Sequence, residues 1–156
     1  MVTTLPIIST DIIVHSADKD VLAAVEIKNT IDLSPMIAAS LRDAIIEDAP
    51  MNRYARFFFV LSQEIGYLWD QRSLPVADDA LPAVEFPMAQ VVAHYLPSAV
   101  DQGRLAGSDL EYAVIPWLWD LAQGREPRPK EPEDALGGTD FLRLIRGGWV
   151  DLGPDR

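Results

Sequence analysis

The sequence contains no cysteine among its 156 residues. This absence excludes disulfide scaffolds, cysteine-ligated zinc or iron–sulfur sites and cysteine nucleophiles. The chain also lacks an apolar run near the roughly 18 residues that a membrane span needs, and its first six residues carry no basic leader. The expected location is therefore the cytoplasm, without a membrane partner.

Basic side chains are scarce, because 13 lysines and arginines stand against 24 acidic residues and give a net charge of −11. Such a surface repels polyanions, which disfavours extended contact with nucleic acid. Glycine-rich phosphate loops and the HExxH and GxSxG motifs are missing as well. The sequence, 49% hydrophobic, does provide enough apolar residues for one buried core.

Apolar runs bounded by turn-forming residues predict strands, and apolar residues at helical spacing predict helices. The predicted strands are Leu5–Ile8, Asp11–His15, Val21–Lys28, Arg56–Leu61 and Ile65–Trp69. The predicted helices are Pro35–Ala49, Pro87–Leu96, Ser108–Gln123 with a kink or break at Pro116, and Phe141–Arg146. This order predicts an α/β (α+β) fold, a mixed sheet flanked by helices.

The chain divides into three predicted segments. Residues 1–124 form the α/β domain, residues 125–138 form an extended proline-rich linker, and residues 139–156 form a helix and tail that pack on the same domain. Ser34 and Pro35 provide an N-cap and a first helical residue. The helix that they begin is expected to bury Ile37, Leu41, Ala44 and Ile45.

The predicted hairpin of residues 11–15 and 21–28 carries the candidate site. If residues 17–20 form a four-residue loop, Asp11 lies opposite Glu26, and Lys28 shares their face. Opposed Cβ atoms are about 4.5–5.5 Å apart, so the two carboxylates repel each other unless a cation or a shared proton offsets the repulsion. Mg²⁺ suits the pair because it takes one or two carboxylates and completes its shell with water and phosphate. The simpler alternative is a solvated strand face with an ion pair between Glu26 and Lys28.

These residues resemble a known family. The run Asp11-Ile-Ile-Val, a hairpin and then Val25-Glu26-Ile27-Lys28 resembles the PD-(D/E)xK nuclease superfamily, which has the restriction-endonuclease-like fold. The order of elements from Ser9 to Gln123 is similar to nuclease-like domains related to the N-terminal region of type I restriction subunits.

The resemblance implies a mechanism and also shows two departures. It implies that Asp11, Glu26 and the Ile27 carbonyl hold Mg²⁺ (or Mn²⁺), and that Lys28 assists hydrolysis of a phosphodiester, with DNA as the expected substrate. Thr10 stands where the family has proline. The family core opens with a helix and a strand, whereas ten residues precede Asp11, so the first core helix is expected to be lacking.

Two functions therefore remain open. The first is a metal-dependent nuclease. The second is a catalytically degenerate nuclease fold that acts as a binding or assembly module, which the missing helix and the acidic surface favour. Under either, a homodimer or a partner chain is expected, because a truncated sheet edge and a tryptophan-bearing tail invite pairing.

Overall fold

A computed structural model describes residues 10–72, 80–99 and 103–153. The predicted strand Leu5–Ile8 lies outside these residues. The strands are β1 Ile12–His15, β2 Val21–Ile27, β3 Phe57–Leu61, β4 Ile65–Asp70, β5 Val84–Pro87 and β6 Trp149–Leu152. The α-helices are α1 Pro35–Asp48, α2 Ala89–Tyr95, α3 Gly107–Gln123, α4 Lys130–Leu136 and α5 Phe141–Leu144, and short 3-10 helices cover Pro50–Tyr54 and Pro97–Ala99.

The described strands form one mixed sheet of six in the order β5-β4-β3-β2-β1-β6. β2 and β3 are parallel, and α1 is the crossover between them. The other neighbouring pairs are antiparallel. The predicted α/β class, a mixed sheet flanked by helices, is confirmed at this level.

Apolar side chains cover the sheet on both faces. One face packs against α2, α3, α4 and α5, and it includes Phe57 and Phe59. The other face packs against α1 and includes Phe58. The three phenylalanines are at most 1% exposed, as expected for a strand that is buried on both faces.

The buried face of α1 differs from the predicted one. The helix begins as predicted, because the Ser34 hydroxyl accepts a hydrogen bond from the Ile37 amide at 3.1 Å. However, Ile37 is 52% exposed and Ala44 is also exposed. The buried residues are Ala38, Ala39, Arg42 and Ile46.

An arginine explains the difference. Arg42 is only 3% exposed, and its Nε and Nη2 donate to Gln71 Oε1 at 3.0 and 2.7 Å. Its guanidinium carbon lies 5.9 Å from the centroid of the Trp69 ring. Because a satisfied guanidinium can be buried, counting apolar residues alone misses Arg42. The predicted face is correct in part, since Leu41 and Ile45 are half-buried against the same core.

α3 confirms the predicted helix over residues 108–123 and extends it by one residue to Gly107. It continues through Pro116, where a kink or a break was expected. Proline removes the hydrogen bond to the carbonyl four residues earlier. That residue is Tyr112, which is 67% exposed on the surface of the helix.

The segment predicted as an extended linker over residues 125–138 contains α4 instead. Pro132 lies in the first turn of α4, where backbone N–H groups have no helical partner in any case. Glu131 and Glu133 in the same turn interact favourably with the helix dipole.

The C-terminal region also departs from expectation, since α5 ends at Leu144 rather than at Arg146. The tail after it forms β6, which pairs antiparallel with β1 from Ile12↔Leu152 to His15↔Trp149. The first and last strands of the described chain therefore lie side by side.

Candidate functional site

The register of the β1–β2 hairpin places the candidate carboxylates opposite each other. The pairs run from Ile12↔Val25 to Val14↔Ala23, which is the predicted register. Continued by one residue, this register sets Asp11 opposite Glu26.

The turn itself differs from the prediction. His15, not Ser16, faces Val21, because a β-bulge lies between Val14 and His15 in the pairing with β2. The connection therefore has five residues, Ser16 to Asp20, rather than four. It is closed by a hydrogen bond from the Ser16 amide to the Asp20 carbonyl at 2.9 Å, and Lys19 has a positive φ of 71°. The bulge absorbs the extra residue, so the register beyond it is unchanged.

The alternation of side chains puts the candidate residues on one face. Ile12 and Val25 are 0% exposed in the core shared with α3. Their neighbours Asp11 and Glu26 therefore point to the opposite face, where both are half-buried. Lys28 follows Glu26 by two residues and is exposed. The alternation of the strands thus assigns Asp11, Glu26 and Lys28 to one face of the sheet.

Asp11 has a structural role that the sequence did not reveal. Its Oδ2 accepts a hydrogen bond from the Ile27 amide at 2.8 Å. The carboxylate of Asp11 is therefore held at the end of β2, beside the Glu26–Ile27 peptide. The Ile27 side chain points to the other face, because its Cγ2 lies 3.9 Å from the position a Cβ would take on Gly107, the first residue of α3.

A polar clamp, formed by Asn29, Gln63, Glu64 and Arg104, lies directly beyond Lys28. The Asn29 side chain donates to Gln63 Oε1 at 2.9 Å and to the Leu105 carbonyl at 2.7 Å, and it accepts from the Gln63 amide at 2.8 Å. Arg104 donates to Asn29 Oδ1 at 2.9 Å and to Glu64 Oε1 at 2.8 Å. The clamp fixes the chain that enters α3 against the carboxyl ends of β2 and β3.

The polar clamp was missed from the sequence, although one pattern could have revealed part of it. Asn29 and Gln63 each follow a strand by two residues, and the carboxyl ends of parallel strands meet at the same edge of a sheet. The contribution of Arg104 comes from a distant segment and has no local pattern.

Among the described residues, no group of three or more histidine, aspartate or glutamate side chains lies close enough to hold a metal ion. The resemblance assigns the metal to two carboxylates and a backbone carbonyl, and Mg²⁺ bound by so few protein ligands keeps several waters.

His15 lies on the same face, towards the outer edge of the sheet. Its ring stacks on Trp149 with centroids 4.7 Å apart, and its Nε2 lies 3.0 Å from Asp151 Oδ2. The indole Nε1 of Trp149 donates to the same oxygen at 3.1 Å. His15 is therefore a polar strand-end residue packed against β6.

Comparisons of the chain with protein-family models, curated proteins and solved structures give no match. Among the residues that the structure describes, no helix combines the length and the apolar character required to cross a bilayer.

Proposed function

We propose that this protein is a metal-dependent hydrolase of nucleic-acid phosphodiesters, with DNA as the preferred substrate. The observation that supports the proposal is the register of β1 and β2, because its continuation by one residue beyond the pair Ile12↔Val25 would set Asp11 opposite Glu26. Two facing carboxylates repel each other, and a cation bound between them is favoured by both charges.

Each residue has a defined role in this proposal. The carboxylates of Asp11 and Glu26 and the Ile27 carbonyl hold Mg²⁺ or Mn²⁺, which when bound polarises the phosphoryl oxygen and acidifies water. Lys28 is exposed and stabilises the negative charge that develops on the phosphate oxygens. The hydrogen bond from the Ile27 amide orients the Asp11 carboxylate towards the end of β2.

The topology supports the resemblance to the restriction-endonuclease-like fold. The hairpin with the candidate residues is followed by a helical crossover to a parallel strand, β2–α1–β3. β6 pairs with the outer edge of β1. The resemblance assigns this edge to the strand that precedes the Asp strand in the family. The first core helix of the family has no counterpart among the described residues.

A second function is favoured by a specific observation. The Ile27 amide satisfies an oxygen of Asp11 without a metal ion, and the described residues contain no cluster of three ligands. With a net charge of −11, these features fit a nuclease fold that has lost its chemistry and serves as a binding or assembly module. This module would act with a second copy of the chain or with another protein.

Metal binding separates the two functions. We expect Mg²⁺ or Mn²⁺ to stabilise the wild type by about 2.7 kcal/mol at a hundred-fold excess over its Kd. That gain corresponds to a rise in Tm of roughly 5–11 °C for a chain of this size. Glu26→Gln should abolish the rise. Glu85→Gln should keep it, because Glu85 is an exposed glutamate on β5, at the other edge of the sheet.

Plasmid nicking then tests catalysis. We expect the wild type and Glu85→Gln to nick DNA with Mg²⁺, and Lys28→Gln to bind the metal but nick at least a hundred-fold more slowly. A wild type that binds metal without nicking would support the assembly module. If neither metal binding nor nicking is observed, the hydrolase proposal is wrong, and equal nicking by Glu26→Gln would assign the activity to another site or to a contaminant.

A further inference from the structure

A cavity of about 690 Å³ opens at the other end of the β1–β2 hairpin. It lies between the five-residue turn, the 3-10 helix of residues 50–54 and α5, and it is within the size range of small-molecule sites. Val21 lines the cavity, whereas Glu26 is five residues further along β2, about 17 Å away in an extended strand. The cavity is therefore separate from the candidate metal site.

Arginines form one wall of this cavity. Arg56, Arg143 and Arg146 all line it, although the protein as a whole is strongly acidic. Asp140 lies 2.8 Å from Arg56 Nη2 and 3.3 Å from Arg143 Nη2, and it also lies 3.6 Å from Arg72 Nη1. Asp70 also lies 3.7 Å from both Arg56 Nη2 and Arg72 Nη2, so two carboxylates are shared among these three guanidinium groups, and Arg146 adds a further positive charge to the wall.

Two of these arginines have donor capacity that the surrounding described residues do not use. Arg56 has a buried Nε without a hydrogen-bond partner. Arg146 is exposed, and among the described residues it forms no ion pair. Its guanidinium lies against the end of α3, since a Cβ on Gly124 would be 2.5 Å from Arg146 Nη2.

The other walls carry an aromatic ring, an apolar side chain and two carboxylates. Tyr54 is 69% exposed at the rim, and Met51 lies beside it in the lining. Asp18 and Asp20, both exposed on the hairpin turn, provide carboxylate acceptors. A complementary ligand therefore combines an anionic group, a planar ring and hydrogen-bond donors.

We propose that this cavity binds a small phosphate ester of the nucleotide class. The arginine wall takes the phosphate, because the guanidinium fork matches phosphate oxygens in a bidentate geometry. The Tyr54 ring stacks on the planar base, and the turn carboxylates accept hydrogen bonds from sugar hydroxyl or base amino groups. A single nucleotide fits better than a polynucleotide, because the net charge of −11 repels an extended polyanion.

Calorimetric titration with adenosine monophosphate, inorganic phosphate and adenosine tests the proposal. The wild type should bind adenosine monophosphate at least ten-fold more tightly than either fragment. The double variant Arg143→Gln/Arg146→Gln should weaken that binding by a hundred-fold or more, at about ten-fold per charged hydrogen bond. Both residues are exposed, so the variant should remain folded, which circular dichroism checks.

Two further variants make the test specific. Arg125→Gln removes the same charge from an exposed residue that lines a different cavity, and it should leave the affinity unchanged. Tyr54→Ala should weaken binding of adenosine monophosphate but not of inorganic phosphate. The proposal is overturned if the wild type binds no adenosine monophosphate at millimolar concentration or if Arg125→Gln weakens binding as much as the double variant. It is also overturned if inorganic phosphate binds equally well, or if a single-stranded oligonucleotide binds more tightly than the mononucleotide.

Discussion

The attachment of β6 to β1 depends on the absence of a side chain at residue 148. A Cβ added to Gly148 would lie 1.9 Å from the His15 carbonyl oxygen and 3.0 Å from the Ile145 carbonyl oxygen. Both neighbours are backbone atoms, so neither can rotate away. Gly148→Ala therefore forces the start of β6 to move by at least roughly 1 Å from β1, since real Cβ contacts essentially never fall below 3.0 Å.

This movement lowers the free energy of unfolding. Overpacking of this kind destabilises a protein by about 1–3 kcal/mol, which for a chain of this size lowers Tm by roughly 2–12 °C. Gly138→Ala provides the matched control, because no atom lies within 4 Å of the added Cβ and no positive φ is required there. The control should be neutral or stabilise the protein by up to about 1 kcal/mol, through the lower entropy of the unfolded chain.

Urea denaturation followed by far-ultraviolet circular dichroism measures the difference between the two variants. Hydrogen exchange adds a local measurement, because Gly148→Ala should speed the exchange of amide protons in β6 and β1 before those in β3. If Gly148→Ala proves as stable as Gly138→Ala and exchange in β6 is unchanged, the strand pairing described for the C-terminal tail is wrong.

Two further predictions concern α5 and the residue before it. Phe141 is fully buried, with its ring edge-on to Phe57 and Phe59 at 5.5 and 4.9 Å, so Phe141→Ala should cost about 3–5 kcal/mol in urea denaturation and Phe141→Leu clearly less. Hydrogen bonds from Arg56 and Arg143 hold the pKa of Asp140 below its usual value, so its ionised form stabilises the fold. The wild type should therefore have a larger free energy of unfolding than Asp140→Asn, by an amount that is constant above about pH 5 and shrinks as the pH falls below about 4. If this difference in the free energy of unfolding grows as the pH falls, the assignment is wrong.

Several helices and strands of this fold could be predicted from the sequence, because neighbouring residues determine where they begin and which side chains they bury. Ser34 and Pro35 begin a helix through capping, and the apolar run at residues 57–61 has the composition of a doubly buried strand. The pairs from Ile12↔Val25 to Val14↔Ala23 agree with the predicted register, although the predicted turn is one residue too short. The agreement depends on the bulge between Val14 and His15, which no local pattern predicted.

The remaining features depend on contacts between distant residues. β6 is four residues long and becomes a strand only because the edge of β1 is available to it. The buried face of α1 was only partly predicted, because Gln71, far along the chain, satisfies Arg42. The polar clamp likewise requires Arg104, which arrives from a separate segment. The pattern of neighbouring residues does not predict these three contacts, because each joins segments that are far apart in the sequence.

The pairing of β1 with β6 has a consequence for the order of folding. It joins His15 to Trp149, residues about 130 positions apart, whereas the β1–β2 hairpin closes a loop of only five residues. The longer closure costs about 3 kcal/mol more in chain entropy, so β6 should join the sheet late. Until it does, one edge of β1 is exposed and can pair with other chains, which makes the nascent protein prone to aggregation just beside the carboxylate pair.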